Sequence, residues 1–201
     1  MTRAVVFDLW DTVATWPHGD PGHAELVETV GLTPEEWAAV DQRDRRWTAS
    51  FAEYLDGLDI DAGAAARACA LRTETTRRAL VPADGVLALL AELRARDLRL
   101  GLISNCSSEV ADLWDESAFA GEFDTVLFSA SEGVCKPDAR IYELALGRLG
   151  VAAPAAIFVG DGDAGELPGA AAVGMRAVQL GGRDGWDGER IATLAELRDL
   201  L

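Results

Sequence analysis

Val5-Val-Phe-Asp-Leu-Trp-Asp-Thr12 is the stretch on which the reading of this chain turns. An apolar run of β type ends on a carboxylate, Asp8, and Trp10, Asp11 and Thr12 follow. A buried strand gains nothing from a terminal charge unless that charge works at the edge of a sheet. Open parallel α/β sheets bind their ligands at the carboxyl ends of the strands, which makes Asp8 a candidate site residue.

Working outward, the sequence predicts a first strand over about residues 4–9 and a linker at Thr15-Trp-Pro-His-Gly-Asp-Pro-Gly22, with its two prolines and two glycines. Helical patterns follow near residues 23–30, 34–55 and 61–78, and Val81-Pro82 marks the return. From there strands and helices alternate. Asp84 is placed as an N-cap before Val86, Leu89, Leu90 and Leu93, and strands are expected at residues 98–103, 125–128, 156–159 and 177–180. Pro137 is read as a first helical position and Gly150 as the stop of that helix. A short helix is expected from Ser107, another near residues 166–173, and a tail helix from about Glu189. The alternation predicts an α/β fold: a Rossmann-like, doubly wound parallel sheet covered on both faces. Residues 1–14 and 82–201 form its core, and residues 15–81 are inserted as a small α-helical cap domain.

Composition narrows the function. At 201 residues the chain holds one sizeable core with a modest insertion, and 49% hydrophobic content excludes long disorder. A formal charge of -16 repels nucleic-acid phosphates and anionic membranes alike. It leaves room for a small anionic substrate, because a bound cation can dominate a single pocket. Three cysteines without metal-ligand spacing, no signal peptide and no membrane-length apolar run give a cytoplasmic expectation. Monomer and homodimer are left open. Among the 18 basic residues 17 are arginines and one is lysine, Lys136. Arginine bias explains the former. It makes the surviving ammonium, compact and with movable donors, a candidate functional group.

Four predicted strand ends carry polar residues in order: Asp8, then Ser104-Asn105, Lys136-Pro137 and Gly160-Asp161. Each alone is an ordinary start of a loop. As an ordered set, in Val6-Phe-Asp-Leu-Trp-Asp-Thr12, Leu102-Ile-Ser-Asn105, Lys136-Pro-Asp138 and Phe158-Val-Gly-Asp161 followed by Gly169-Ala170 and Gly174-Met175, they resemble the haloacid dehalogenase superfamily of hydrolases, members of which carry a helical cap after the first core strand. The resemblance implies Asp8 as a nucleophile that forms a covalent aspartyl intermediate. It implies Mg²⁺ held by Asp8, the main-chain carbonyl of Trp10 and Asp161. Ser104 would hold a phosphate oxygen, and Lys136 would pair with nucleophile and substrate. Asn105, Trp10 and the cap residue Arg45 are further candidates for contacting substrate, with Asp11 and Glu166 in support. Glu166 stands where phosphatases of this kind place an Asp, so it is expected to reach Lys136 or a water on the ion. Asp163 is expected in a turn, and Gly181-Gly-Arg-Asp-Gly185 reads as a loop without function.

Trp10 departs from the pattern. Phosphomonoesterases of this superfamily carry a second aspartate there, which protonates the leaving alcohol and then activates water. An indole N–H donates a hydrogen bond and moves no proton. The reading placed first is a Mg²⁺-dependent phosphatase of a small phosphorylated metabolite with its acid/base elsewhere, His18 and His23 included. The second is a metal-free 2-haloacid dehalogenase, in which halide needs no proton and Arg43, Arg45 or Arg46 holds a substrate carboxylate. Against it, Asp161 and Glu166 would repel Asp8 without a metal. The third is a weakened member acting as a binding or accessory protein. Trp16, Trp37 and Trp47 are read mainly as cap core.

Overall fold

The computed structural model describes residues 1–16, 21–33, 35–37, 48, 50–56, 58 and 60–201. His18, Arg43, Arg45, Arg46 and Trp47 lie outside the described residues, as does the side chain of His23.

Strand β1, Ala4–Phe7, is buried along its whole length, so it reads as a continuous apolar run and not an alternating one. Its side chains still divide by parity. Val5 and Phe7 enter one apolar cluster, and Ala4 and Val6 enter the other. Both faces of the sheet are therefore covered, the arrangement that a parallel sheet requires. β2 (Arg99–Ser104), β3 (Thr125–Phe128), β4 (Ala156–Gly160), β5 (Arg176–Leu180) and β6 (Glu189–Ile191) complete it, all pairs parallel, in the order β3-β2-β1-β4-β5-β6. The order reverses between β1 and β4, and a crevice opens at their carboxyl ends.

Eight α-helices lie among the described residues. α1 (Pro21–Val30), α2 (Phe51–Leu55) and α3 (Ala62–Ala79) precede the return to the sheet, and α4 (Val86–Ala95) and α5 (Ser108–Trp114) follow it. Beyond them lie α6 (Ser129–Glu132), α7 (Ala139–Leu149) and α8 (Glu166–Ala172). Leu26, Val30, Trp37, Phe51, Leu55 and Ala68 form a third apolar cluster separate from the two on the sheet. The chain leaves the sheet and comes back at one place: Ala14 is bridged to Pro82, and the Ala83 N–H donates to the Val13 carbonyl at 2.9 Å. Of the described helices none is long and apolar enough to cross a membrane.

Three local expectations are corrected. The tail from Glu189 begins as strand β6 and ends in 3₁₀ turns over Leu194–Leu200. The Arg176 guanidinium grips the Glu189 carboxylate through two 2.7 Å contacts, tying β6 to the edge of the sheet where helical spacing alone suggested a helix. Asp84 does not cap α4; Gly85 does, at φ 80, a conformation that costs glycine nothing. Pro137 is not in the helix either. It follows Lys136 through a cis peptide, and Asp138 caps α7 by accepting from the Arg140 N–H at 3.0 Å. Gly150 stops α7 at φ 67, as expected from its position.

Candidate active site

The end of β1 is held by a main-chain bond, Asp8 N–H to Val159 carbonyl at 2.9 Å, which sets the Asp8 carboxylate above the junction of β1 and β4. Asp8 is buried, and one oxygen (Oδ1) accepts a short hydrogen bond from Lys136 Nζ. The other (Oδ2) accepts from the Thr12 hydroxyl at 3.2 Å. Lys136 is buried as well and its ammonium also donates to Glu166 Oε2 at 2.6 Å, so a single cation sits between two carboxylates. The contact of Glu166 with Lys136 is one of the two expected from its extra methylene, the other being a water on the ion.

Gly160 makes that contact possible. A Cβ there would lie 2.0 Å from Glu166 Oε1, so only glycine at the end of β4 leaves space for the carboxylate to fold back beneath the strand. Glu166 Oε1 then accepts from the Gly162 N–H at 3.0 Å, and the Tyr142 hydroxyl donates to the Glu166 carbonyl at 2.8 Å.

Electrostatics follow from two acids sharing one base in a dry place. Burial pushes the Asp8 carboxyl up; Lys136 opposes this without cancelling it. Burial, and then the charge of Asp8, push Glu166 up to about 8. Burial disfavours the Lys136 ammonium, but Asp8 and Glu166 outweigh it and hold the lysine charged. With one carboxylate in excess, the cluster keeps a proton that the unfolded chain would release. Stability carried by a raised carboxyl is present below its ordinary value of 4.5 and is lost as pH rises through about 8. Glu166→Gln is therefore expected to flatten the fall in melting temperature between about pH 5 and pH 8. The slope in EDTA-containing buffer is the measurement, and an unchanged slope would refute the assignment.

The remaining candidates surround this pair. Asn105 is turned to Lys136: its Oδ1 accepts from the Lys136 N–H at 2.8 Å and its Nδ2 donates to the Lys136 carbonyl at 2.9 Å. It fixes the lysine's main chain and also lines the cleft. Ser104 is fully buried at the end of β2, and the neighbour its hydroxyl meets is the buried Cys106 thiol. Asp11, at φ 55, accepts from the Trp16 N–H at 3.1 Å and so shapes the turn out of β1. Trp10 lines the cleft half-buried, its ring edge-on to Trp16 at 4.9 Å. Arg72 of α3 lies over Trp16, 5.4 Å from the ring centre. Asp163 occupies a 3₁₀ turn, as expected, and donates its N–H to Asp161 Oδ1 at 3.0 Å.

One residue escaped the sequence reading. Arg183, in the loop read as functionless, reaches back to the cleft and places Nη2 2.5 Å from Asp161 Oδ2 and Nη1 3.6 Å from Asp163 Oδ1. Its distance along the chain from Gly160-Asp161 hid it, since only the pairing of β4 with β5 brings the two loops together.

Asp8, Asp161 and Glu166 each offer a buried carboxylate oxygen, all within 4.8 Å of one another. Hard oxygen donors at this spacing fit a divalent cation of the Mg²⁺ type. The arrangement can present a carboxylate and an ammonium to one reacting atom.

Comparison with known proteins agrees with this geometry. The family model for haloacid dehalogenase-like hydrolases matches residues 2–174. A phosphoserine phosphatase of Thermus thermophilus is 37% identical over 142 residues, covering 66% of this chain and 55% of that protein. The chain thus spans about half the length of this curated relative. Among solved structures, a 2-haloacid dehalogenase of Pseudomonas syringae superposes with a TM-score of 0.72 at 25% identity, covering 100% of this chain and 98% of the other. A HAD phosphatase of Thermococcus onnurineus gives 0.73 at 23% identity, covering 99% and 97%. With strand order, strand-end residues and family match in agreement, the chain belongs to the haloacid dehalogenase-like hydrolases.

Proposed function

We propose that the protein is a Mg²⁺-dependent phosphatase of a small phosphorylated metabolite, working through an aspartyl-phosphate on Asp8. The observation that carries this reading is the convergence of Asp8, Asp161 and Glu166, which together hold more negative charge than Lys136 neutralises. The likeness to a phosphoserine phosphatase supports it.

A divalent ion held by Asp8, Asp161 and the Trp10 carbonyl, with Glu166 in reach, would supply the charge that lets an anionic phosphoryl group approach a carboxylate. The chain's own residues do the rest. Lys136 holds Asp8 Oδ1, which leaves Oδ2, under the longer contact from Thr12, to attack phosphorus. Ser104, buried at the end of β2 beside the cleft residue Asn105, would have to turn its hydroxyl into the cleft to take a phosphoryl oxygen. The bond to the leaving oxygen breaks with its electron pair, and Trp10 offers that oxygen no transferable proton. Substrates with weakly basic leaving groups, which depart as anions, are therefore favoured over simple alkyl phosphates.

One observation favours a second reading, the 2-haloacid dehalogenase. Arg183 and Lys136 already set two cations against the acidic cleft, which reduces the repulsion that counted against a metal-free site. EDTA-treated protein assayed on p-nitrophenyl phosphate and on 2-chloropropionate separates the two. Phosphate release restored by Mg²⁺, without chloride release, is the expected result. Chloride release insensitive to EDTA would replace the phosphatase with the dehalogenase.

A further inference from the structure

We propose that Arg183 is a displaceable counter-cation, holding the Asp161 oxygen that a divalent ion must take and so setting the metal affinity of the site. The inference rests on the metal-dependent reading above.

Both oxygens of Asp161 are engaged. Oδ1 accepts from the Asp163 N–H at 3.0 Å, and Oδ2 faces Arg183 Nη2 at 2.5 Å. Mg²⁺ binds carboxylate oxygen at about 2.0–2.1 Å. An ion at that distance from Oδ2 would stand within roughly 4–5 Å of the guanidinium, and two cations so close repel each other. Arg183 must therefore yield the oxygen when the ion arrives.

The surroundings of Arg183 are constructed to place it there. Gln179 on β5 is fully buried, and its Nε2 donates both to the Asp161 carbonyl at 3.1 Å and to the Arg183 carbonyl at 2.9 Å. One buried amide thus ties the loop after β5 to the loop after β4. Gly162, at φ 95, is part of the device: a Cβ there would lie 2.7 Å from Gln179 Nε2 and push the amide away. The loop bends at Gly181 (φ 80) and Gly185 (φ 97), on either side of Arg183. The side chain itself is 49% exposed, whereas that of Asp161 is 11% exposed. The main chain of Arg183 is fixed, and its guanidinium can swing into solvent without opening the core.

The role of such a cation is twofold. Before metal loads, it offsets Asp161 and Asp163 beside a nucleophile that already shares one ammonium with Glu166. When metal loads, the freed guanidinium stays at the mouth of the cleft, tethered through its carbonyl. Half-exposed ion pairs are weak enough to be displaced, yet they discount the affinity of whatever replaces them.

Mn²⁺ binding to the EDTA-treated full chain, followed by the EPR signal of free Mn²⁺, tests this without any assay of turnover. Wild type, Arg183→Gln, Arg183→Lys and Asp161→Asn are compared, with circular dichroism to confirm folding. Arg183→Gln is expected to tighten Mn²⁺ binding about fivefold, Arg183→Lys to fall between it and wild type, and Asp161→Asn to lose binding. If Asp161→Asn loses binding while Arg183→Gln and Arg183→Lys match or fall below wild type, the role of Arg183 is refuted and the metal site stands. If neither wild type nor Arg183→Gln takes up millimolar Mn²⁺, the metal reading fails and this inference falls with it.

Discussion

Asp8→Asn is expected to lower turnover by roughly 10⁴–10⁶-fold while leaving the protein folded. The chemical half of this expectation follows from the end of β1. An amide is no nucleophile, and neither a phosphoryl nor a carbon centre can be taken up by residue 8 once the carboxylate is gone. The loss should therefore strike p-nitrophenyl phosphate and 2-chloropropionate alike, whichever the wild type accepts. The folding half follows from the charge balance. Lys136 is shared by two buried acids, and removing one still leaves it Glu166 at 2.6 Å. Glu166, pushed up by burial and by Asp8, loses the second of these causes and ionises more readily. The pair that remains is a matched one, so no buried charge is stranded. Melting temperature and kcat measured on the same preparation check both halves. Retained activity in folded Asp8→Asn would remove Asp8 as the nucleophile and with it both reaction readings.

Trp10→Asp is expected to raise phosphatase activity on a simple alkyl phosphate such as glycerol phosphate by about 10²–10⁴-fold, the usual worth of a positioned general acid–base group, and to raise it less on p-nitrophenyl phosphate, whose leaving group departs as an anion. Trp10 already lines the cleft, two residues beyond the nucleophile. A carboxyl placed there would stand near Asp8, Asp161 and Glu166, and like charges raise the pKa of a newcomer toward the range useful to an acid. The cost is the edge-on contact with Trp16 at 4.9 Å, worth about 0.5–1.5 kcal/mol beyond its buried area. A gain confined to phosphate esters would identify the missing proton donor as the whole defect of the wild type. No gain, together with chloride release by the wild type, would instead mark Trp10 as suited to a leaving group that needs no proton.

Much of this molecule was legible in its letters because a parallel sheet leaves strong local marks. Val5-Val-Phe is apolar on both parities, and both faces of β1 are indeed covered. The helix that starts after Ser107 and the one that stops at Gly150, in the left-handed region at φ 67, begin and end where the letters placed them. Asp8 and Asp161 were recognisable because each directly follows a strand, and sheet geometry then obliges strand ends to share one edge, whereas Lys136, read as a strand end, comes in only after the short helix Ser129–Glu132 that follows β3. The single lysine was conspicuous by composition, and the structure buries it against Asp8 and Glu166.

What escaped the letters depends on contacts between distant segments. The β6 strand is secured by Glu189 meeting Arg176, a pairing that helical periodicity cannot express. Gly160 looked like half of a motif, and only the folded chain shows that its missing Cβ is the space for Glu166. Arg183 stood in a glycine-rich loop without a recognisable pattern, yet Gln179 draws it to within 2.5 Å of Asp161. Local sequence determines which residues end strands and which cap helices, because those choices are settled by neighbours along the chain. Which cation stands on which carboxylate is settled across the sheet, where burial and the approach of β4 to β5 place opposite charges together.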